Sequence, residues 1–118
     1  MSIEQLAKDF TAAVMADDKD GYQAFWADDI VSLEPSEGET ARAEGREALL
    51  AKHAWWEANA EVHAVTTEGP YIFGDQFALR FTMDVTMHGE RTQMAEIGLY
   101  TVTDGKITEE RFFYGTAG

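Results

Sequence analysis

The sequence contains no cysteine, which excludes disulfides, thiolate nucleophiles and thiolate metal sites and is compatible with a reducing compartment. It has only two prolines, Pro35 and Pro70, and three serines, Ser2, Ser32 and Ser36, none set in the strand–turn–helix elbow that serine nucleophiles use. Basic residues are scarce as well. Nine Lys and Arg stand against 22 Asp and Glu, a formal charge of −13 that repels nucleic acid and anionic membranes. No apolar run approaches the roughly 18 residues of a membrane span, and residues 1–30 lack a basic start followed by a long apolar stretch, so a cytoplasmic protein is expected. The histidines, His53, His63 and His88, are scattered without an i, i+4 pair, so neither a metal nor another cofactor is expected.

What is present suits one domain spanning residues 1–118, too apolar at 45% hydrophobic residues to remain disordered. The strongest pattern is FALRFTMDVTM, where Phe77, Leu79, Phe81, Met83, Val85 and Met87 alternate with more polar residues. Period two over such a length predicts a strand of roughly 35 Å with one apolar face, long enough to curve and act as the spine of a sheet.

Ahead of it, Ile3, Leu6, Phe10 and Val14 recur at helical spacing behind a Ser2/Gln5 capping box, predicting a helix over residues 2–17. Asp20 and Gln23 cap a second, short helix with Tyr22, Phe25 and Trp26 on one side. Ile30–Glu34 reads as a brief strand ended by Pro35, and residues 36–44 as a polar, mobile lid. Leu49, His53, Trp56 and Ala60 share one face of a third helix, from Gly45 to about Asn59. Residues 61–74 form a strand interrupted near Gly69-Pro70. Turns at Gly89-Glu90 and Asp104-Gly105 then give strands Arg91–Thr103 and Lys106–Tyr114. Helices first and a meander of long strands after them is an α+β pattern.

A two-residue loop at Gly89-Glu90 places Met83 opposite Glu96, Phe81 opposite Gly98 and Leu79 opposite Tyr100, with Glu96 on the apolar face. At Asp104-Gly105 a two-residue loop turns Glu109 and Arg111 inward, whereas a three-residue loop with Gly105 in a bulge turns Glu110, Phe112 and Tyr114 inward. The second brings two aromatics to the core and is preferred. On the outer face Ile97, Leu99 and Phe113 are too apolar for solvent, so a homodimer through that face is expected.

The strings DKDGYQAFWADDIVSLEP ending at Pro35, EGREAL at 44–49 and IGLYTVTDGKITEERFFYG at 97–115, in this element order, resemble the SnoaL-like and ketosteroid-isomerase-like members of the nuclear transport factor 2-like superfamily. The resemblance covers nearly the whole chain. It implies a cone-shaped barrel, a curved, mostly antiparallel sheet wrapped on three N-terminal helices around a deep pocket, commonly as a homodimer. It leaves the chemistry open, since this fold includes isomerases, dehydratases, cyclases, epoxide hydrolases and non-catalytic binding modules. Residue by residue, the general-base carboxylate of the isomerases falls on Glu34, just before Pro35. Their oxyanion-binding tyrosine falls on Phe10 and their second donor on Gly98, neither of which can donate, while a tyrosine of the third helix corresponds to His53. One missing oxyanion donor typically costs about 10²–10³ in rate, so steroid isomerisation is not expected.

Glu34, His53 and Glu96 are the catalytic candidates. A carboxylate at the mouth of an apolar cavity suits acid–base work, His53 is its partner or a donor, and Glu96 among Met83, Met94 and Gly98 needs a partner that His53 can supply. The expected pocket lining is Phe10, Trp26, Trp56, Phe81, Met83, Met94, Gly98, Tyr100, Glu110, Phe112 and Tyr114, around an apolar small molecule; Trp26, Trp55, Trp56, Phe77, Phe81 and Tyr100 are also the simplest core. Two readings stay open: an acid–base enzyme, and a non-catalytic ligand-binding or dimerisation module.

Overall fold

The computed structural model describes residues 2–35 and 41–114. Helix α1 (Ile3–Met15) starts where Ser2 Oγ accepts from the Gln5 amide, and buries Leu6, Ala7, Phe10 and Thr11. Gln5 does not close the capping box; its side chain turns to Asp9. Helix α2 (Lys19–Gln23) is capped by Asp18, which accepts from Gly21 N, rather than by Asp20, which lies in its first turn. Strand β1 (Trp26–Leu33) begins earlier than the sequence suggests, so Trp26 is a strand residue. Part of the expected lid is strand β2 (Arg42–Glu44), paired antiparallel with β1, while residues 36–40 lie outside the described residues. Helix α3 (Arg46–Asn59) leads into β3 (Ala60–Phe73), with a cis Gly69-Pro70 bond at its register shift. The meander continues as β4 (Gln76–Met87), β5 (Glu90–Thr103) and β6 (Lys106–Phe113).

These strands form one six-stranded sheet in the order β2-β1-β6-β5-β4-β3, antiparallel except for β1 against β6. The spine strand behaves as its alternation requires. Phe77, Leu79, Phe81 and Val85 are buried, whereas Met83 and Met87 stay partly open, because the helices cover one end of the face and leave the other as the wall of a hollow. Phe10 organises the covered end, with rings of Tyr22, Phe25, Phe77 and Tyr100 packed against it at centroid distances of 5.1–6.3 Å.

Both hairpins correct the expected register. The β4–β5 turn is His88-Gly89, both at positive φ, so Phe81 faces Glu96, Met83 faces Met94, Leu79 faces Gly98 and Phe77 faces Tyr100. The slip is by two residues, which preserves side-chain parity, and Glu96 remains on the inner face. At the next hairpin the loop has two residues, Asp104-Gly105, and the irregularity falls beside Thr108 instead of in the turn. That displaced bulge still turns Glu110 and Phe112 inward, opposite Tyr100 and Gly98.

Two rows therefore cross the inner face: Phe77, Tyr100, Glu110 and Ser32 in one, Leu79, Gly98 and Phe112 in the other. Gly98 is small for a physical reason. A Cβ there would lie 2.8 Å from the Tyr100 hydroxyl, and the Tyr100 ring is stacked on Phe77 and cannot swing aside freely. Gly98→Ala is expected to cost about 1–3 kcal/mol in a denaturant titration, as overpacking does elsewhere; an unchanged midpoint would show that Tyr100 moves without penalty.

Candidate functional site

The hollow has two parts, an inner chamber of about 210 Å³ and an outer cleft of about 880 Å³, which share His53, Met83, Glu96, Glu110 and Phe112. The inner chamber is lined by Phe10, Tyr22, Trp26, Phe81 and Tyr100 together with the solvent-exposed Asp17, and it is no more enclosed than the cleft. The outer cleft runs between β2, α3 and the far end of the sheet, past Glu34, Lys52, Trp56, Met94 and Tyr114. Ten of the eleven residues expected to line a pocket do so. The exception is Gly98, which is buried beneath the Tyr100 hydroxyl. Trp55 is not core but lies more than half exposed on the cleft.

A chain of polar contacts crosses the wall of this hollow. Lys52, on the second turn of α3, pairs with Glu34 at the end of β1 and donates to Ser32 Oγ at 2.8 Å. Ser32 in turn donates to Glu110 Oε1 at 2.8 Å. Glu110 is only 4% exposed, and burial pushes its carboxyl up to about 7, against the lowering effects of the Ser32 hydrogen bond and Lys52. Glu96 is pushed up to about 7 as well, by burial first and then by the Glu34 charge, with Lys52 opposing. One ammonium thus serves three carboxyls, and charge balance favours holding protons on the two that are buried.

The expected acid–histidine pair is not formed. Among the described residues His53 has no hydrogen-bonding partner; its ring lies 5.3 Å from Trp26 and 6.1 Å from Tyr22, and burial followed by the Lys52 charge lowers its pKa. The partner Glu96 needs is supplied electrostatically by Lys52. Lys52 and Ser32 are the two site residues that the sequence reading misses, since a lone helical lysine ordinarily reads as solvated and its partners come from other elements. Two further side chains of the lining lack a hydrogen-bond partner among the described residues. The Trp26 indole N–H is buried without an acceptor, and Tyr100, 3% exposed, makes no side-chain hydrogen bond among the described residues. Phe10 and Gly98 occupy the expected places and offer no donor, but the Tyr100 hydroxyl reaches back over Gly98.

Among the described residues no three His, Cys, Asp or Glu side chains gather as a metal site would require, and no helix is long and apolar enough to cross a membrane. The model of the SnoaL-like domain matches residues 1–114. The chain belongs to the SnoaL-like family. No curated protein matches it. A crystal structure from Mesorhizobium loti, assigned as a SnoaL-like polyketide cyclase, is 54% identical, with a TM-score of 0.92 over 97% of this chain and all of that one. A Xanthomonas campestris protein of unknown function with a cystatin-like fold is 17% identical, with a TM-score of 0.80 over 98% of this chain and 92% of that one. A Catenulispora acidiphila protein with a ketosteroid isomerase-like fold, crystallised with trimethylamine, is 20% identical, with a TM-score of 0.73 over 97% and 88%. The last two carry the fold alone. The fold is that of nuclear transport factor 2-like proteins.

Proposed function

We propose that this SnoaL-like protein is an acid–base enzyme that moves a proton on an apolar small molecule held across the cleft and the chamber. The observation that carries this reading is the placement of Glu96 and Glu110, two carboxyls on adjacent strands, at the junction of the two compartments. Near neutral pH each exchanges a proton readily, which is what a group alternating between acid and base requires. Glu96, free of hydrogen bonds among the described residues, is the proton-transferring group. Glu110 is its neighbour, anchored by Ser32. Glu34, first in line from the sequence, keeps a supporting role because Lys52 holds it in an ion pair. His53 contributes a neutral ring to the wall.

The M. loti relative makes apolar carbonyl compounds of the polyketide type the first substrates to try. Their C–H groups beside a carbonyl can be followed by NMR in D2O without knowledge of the product. Enzyme-accelerated exchange across such a panel supports the proposal; exchange no faster than in buffer throughout the panel counts against it. A non-catalytic binding module remains the second reading, favoured by Phe10 and Gly98 at the places where donors would stand. A ligand that binds and never exchanges would support that reading.

We also propose a homodimer through the outer face of the sheet. Ile97 and Phe113 are directly opposed there and each is close to half exposed, between Arg80 and Arg111. Phe113→Glu would place a charge in the middle of that patch. Light scattering is expected to show a dimer for the parent chain and half that mass for the variant; a monomeric parent would remove the idea.

A further inference from the structure

The inner chamber differs in kind from the cleft it opens into. Its volume lies below the range of about 300–1,000 Å³ that holds a whole drug-sized ligand, so it accepts a head group rather than a ring system. Its walls include the rings of Phe10, Tyr22, Trp26, Phe81, Tyr100 and Phe112, and three acids, Asp17, Glu96 and Glu110. No Lys or Arg is among the lining residues described; Lys52, committed to Glu34 and Ser32, sits 5.0 Å from the centre of the Phe112 ring, and Arg46 lies 5.6 Å from that of Trp26, so the rings left for a ligand are those of Phe10, Tyr22, Phe81 and Tyr100. Tyr100, lining the chamber and more than nine-tenths buried, has a hydroxyl without a partner among the described residues, whose oxygen can turn its lone pairs toward a positive charge.

From this geometry we infer that the chamber is a subsite for an alkylammonium group, so that the ligand of the hollow is an amine-bearing molecule whose apolar body lies in the outer cleft. The inference rests on the reading of the hollow as a small-molecule site and adds the charge of the molecule it takes. An anionic head group would meet carboxylates with no free cation to receive it. Once the two glutamates ionise, above about pH 7, a neutral alkyl head would fit the rings and leave their charge unbalanced. An ammonium supplies that missing charge, and its methyl or methylene groups pack on the aromatic walls, an arrangement worth about 0.5–2 kcal/mol beyond simple burial. The Trp26 N–H is buried and takes no part in this recognition.

The titratable groups around the chamber set how pH acts. Glu96 on β5 and Glu110 on β6 face it, Asp17 follows α1, Glu34 and Lys52 lie next to the two glutamates, Lys19 and Glu57 pair beside His53 and Tyr22, and Arg46 lies over Trp26. His53 on α3 is held neutral by burial and Lys52, and Tyr22, Tyr100 and Tyr114 have phenols raised by burial, so all four are uncharged in the range used below. Protonated glutamates offer a cation little, so binding strengthens as they ionise.

The test compares choline with 3,3-dimethylbutan-1-ol, the same shape with carbon in place of the charged nitrogen, by isothermal titration. Choline is expected to bind the parent chain at least about tenfold more tightly at pH 8.5, and to lose about tenfold at pH 5.5, while the alcohol is indifferent to pH. Glu110→Gln and Glu96→Gln, which keep side-chain volume, should each weaken choline about tenfold and leave the alcohol unchanged; Asp104→Asn, a charge removed at the β5–β6 turn, should alter neither. Equal affinity for the two probes, binding of neither, or an equal loss in Asp104→Asn would each overturn the inference. None of these outcomes depends on turnover. Choline binding with no proton exchange on any substrate would sink the enzymatic reading and leave the ammonium site standing, and exchange on neutral ketones with no preference for choline would do the reverse.

Discussion

Glu96→Gln is expected to lower proton exchange on a responsive substrate by about 10²–10⁴-fold, the usual worth of a positioned acid–base group, while leaving the far-ultraviolet circular dichroism and the melting temperature at pH 5.5 close to the parent. The glutamine keeps the size of the side chain beside Phe81 and removes only its ability to carry the proton. The pH dependence sharpens the test. With the parent carboxyl titrating at about 7, the rate of a step that needs the base form should rise through neutrality, and that limb should vanish in the variant. Glu34→Gln should have a smaller effect, since Lys52 remains with Ser32 and Glu110 to hold. An unchanged rate in Glu96→Gln would remove this group from the chemistry.

The second large effect concerns stability. Glu110 has an ordinary carboxyl pKa of 4.5 when the chain is unfolded and about 7 when it is folded, so the folded state binds the proton more tightly. Its favourable contribution is therefore complete below about pH 4.5 and disappears as pH rises through 7, a loss of about 3 kcal/mol. Glu96 shifts in the same direction and adds to the slope. Chemical denaturation is expected to show the protein more stable at pH 5.5 than at pH 8, the reverse of a protein whose acids are mostly ion-paired. Glu110→Gln, which keeps an oxygen facing Ser32, should flatten the profile and leave the variant more stable than the parent at pH 8. A parent whose stability climbs between pH 5.5 and 8 would mean that the two carboxyls are ionised in the fold at little cost.

Much of this architecture is legible in the sequence. The alternation from Phe77 to Met87 encodes one buried face, because successive side chains of a strand must point opposite ways whatever the partner. The same rule protected the placement of Glu96: the hairpin turn lay one residue earlier than expected, the pairing slipped by two, and parity survived. Glu110 was expected inward for the right packing reason, two aromatics gained, although the bulge that achieves it is at Thr108 and not Gly105. What could not be read were contacts made by elements far apart in sequence. No local signal announces that β1 runs parallel to β6, and only that pairing brings Ser32 to Glu110. Lys52 was hidden for the same reason, as was the true environment of His53, which packs on Tyr22 and Trp26 and leaves the carboxyls to the lysine. Trp26 and β2 were misplaced because a short aromatic run fits a helix or a strand equally well, and because three residues of sheet edge carry almost no periodicity.

The parallel contact between β1 and β6 also bears on how the chain is made. Ser32 and Lys52 leave the ribosome early, Glu96 much later, and Ile107 and Glu110 last of all. Until that strand is inserted between β1 and β5, the two parts of the sheet are unjoined and the wall of the hollow lacks Glu110 and Phe112. A ligand that needs both carboxyls can therefore favour folding only after this strand is in place.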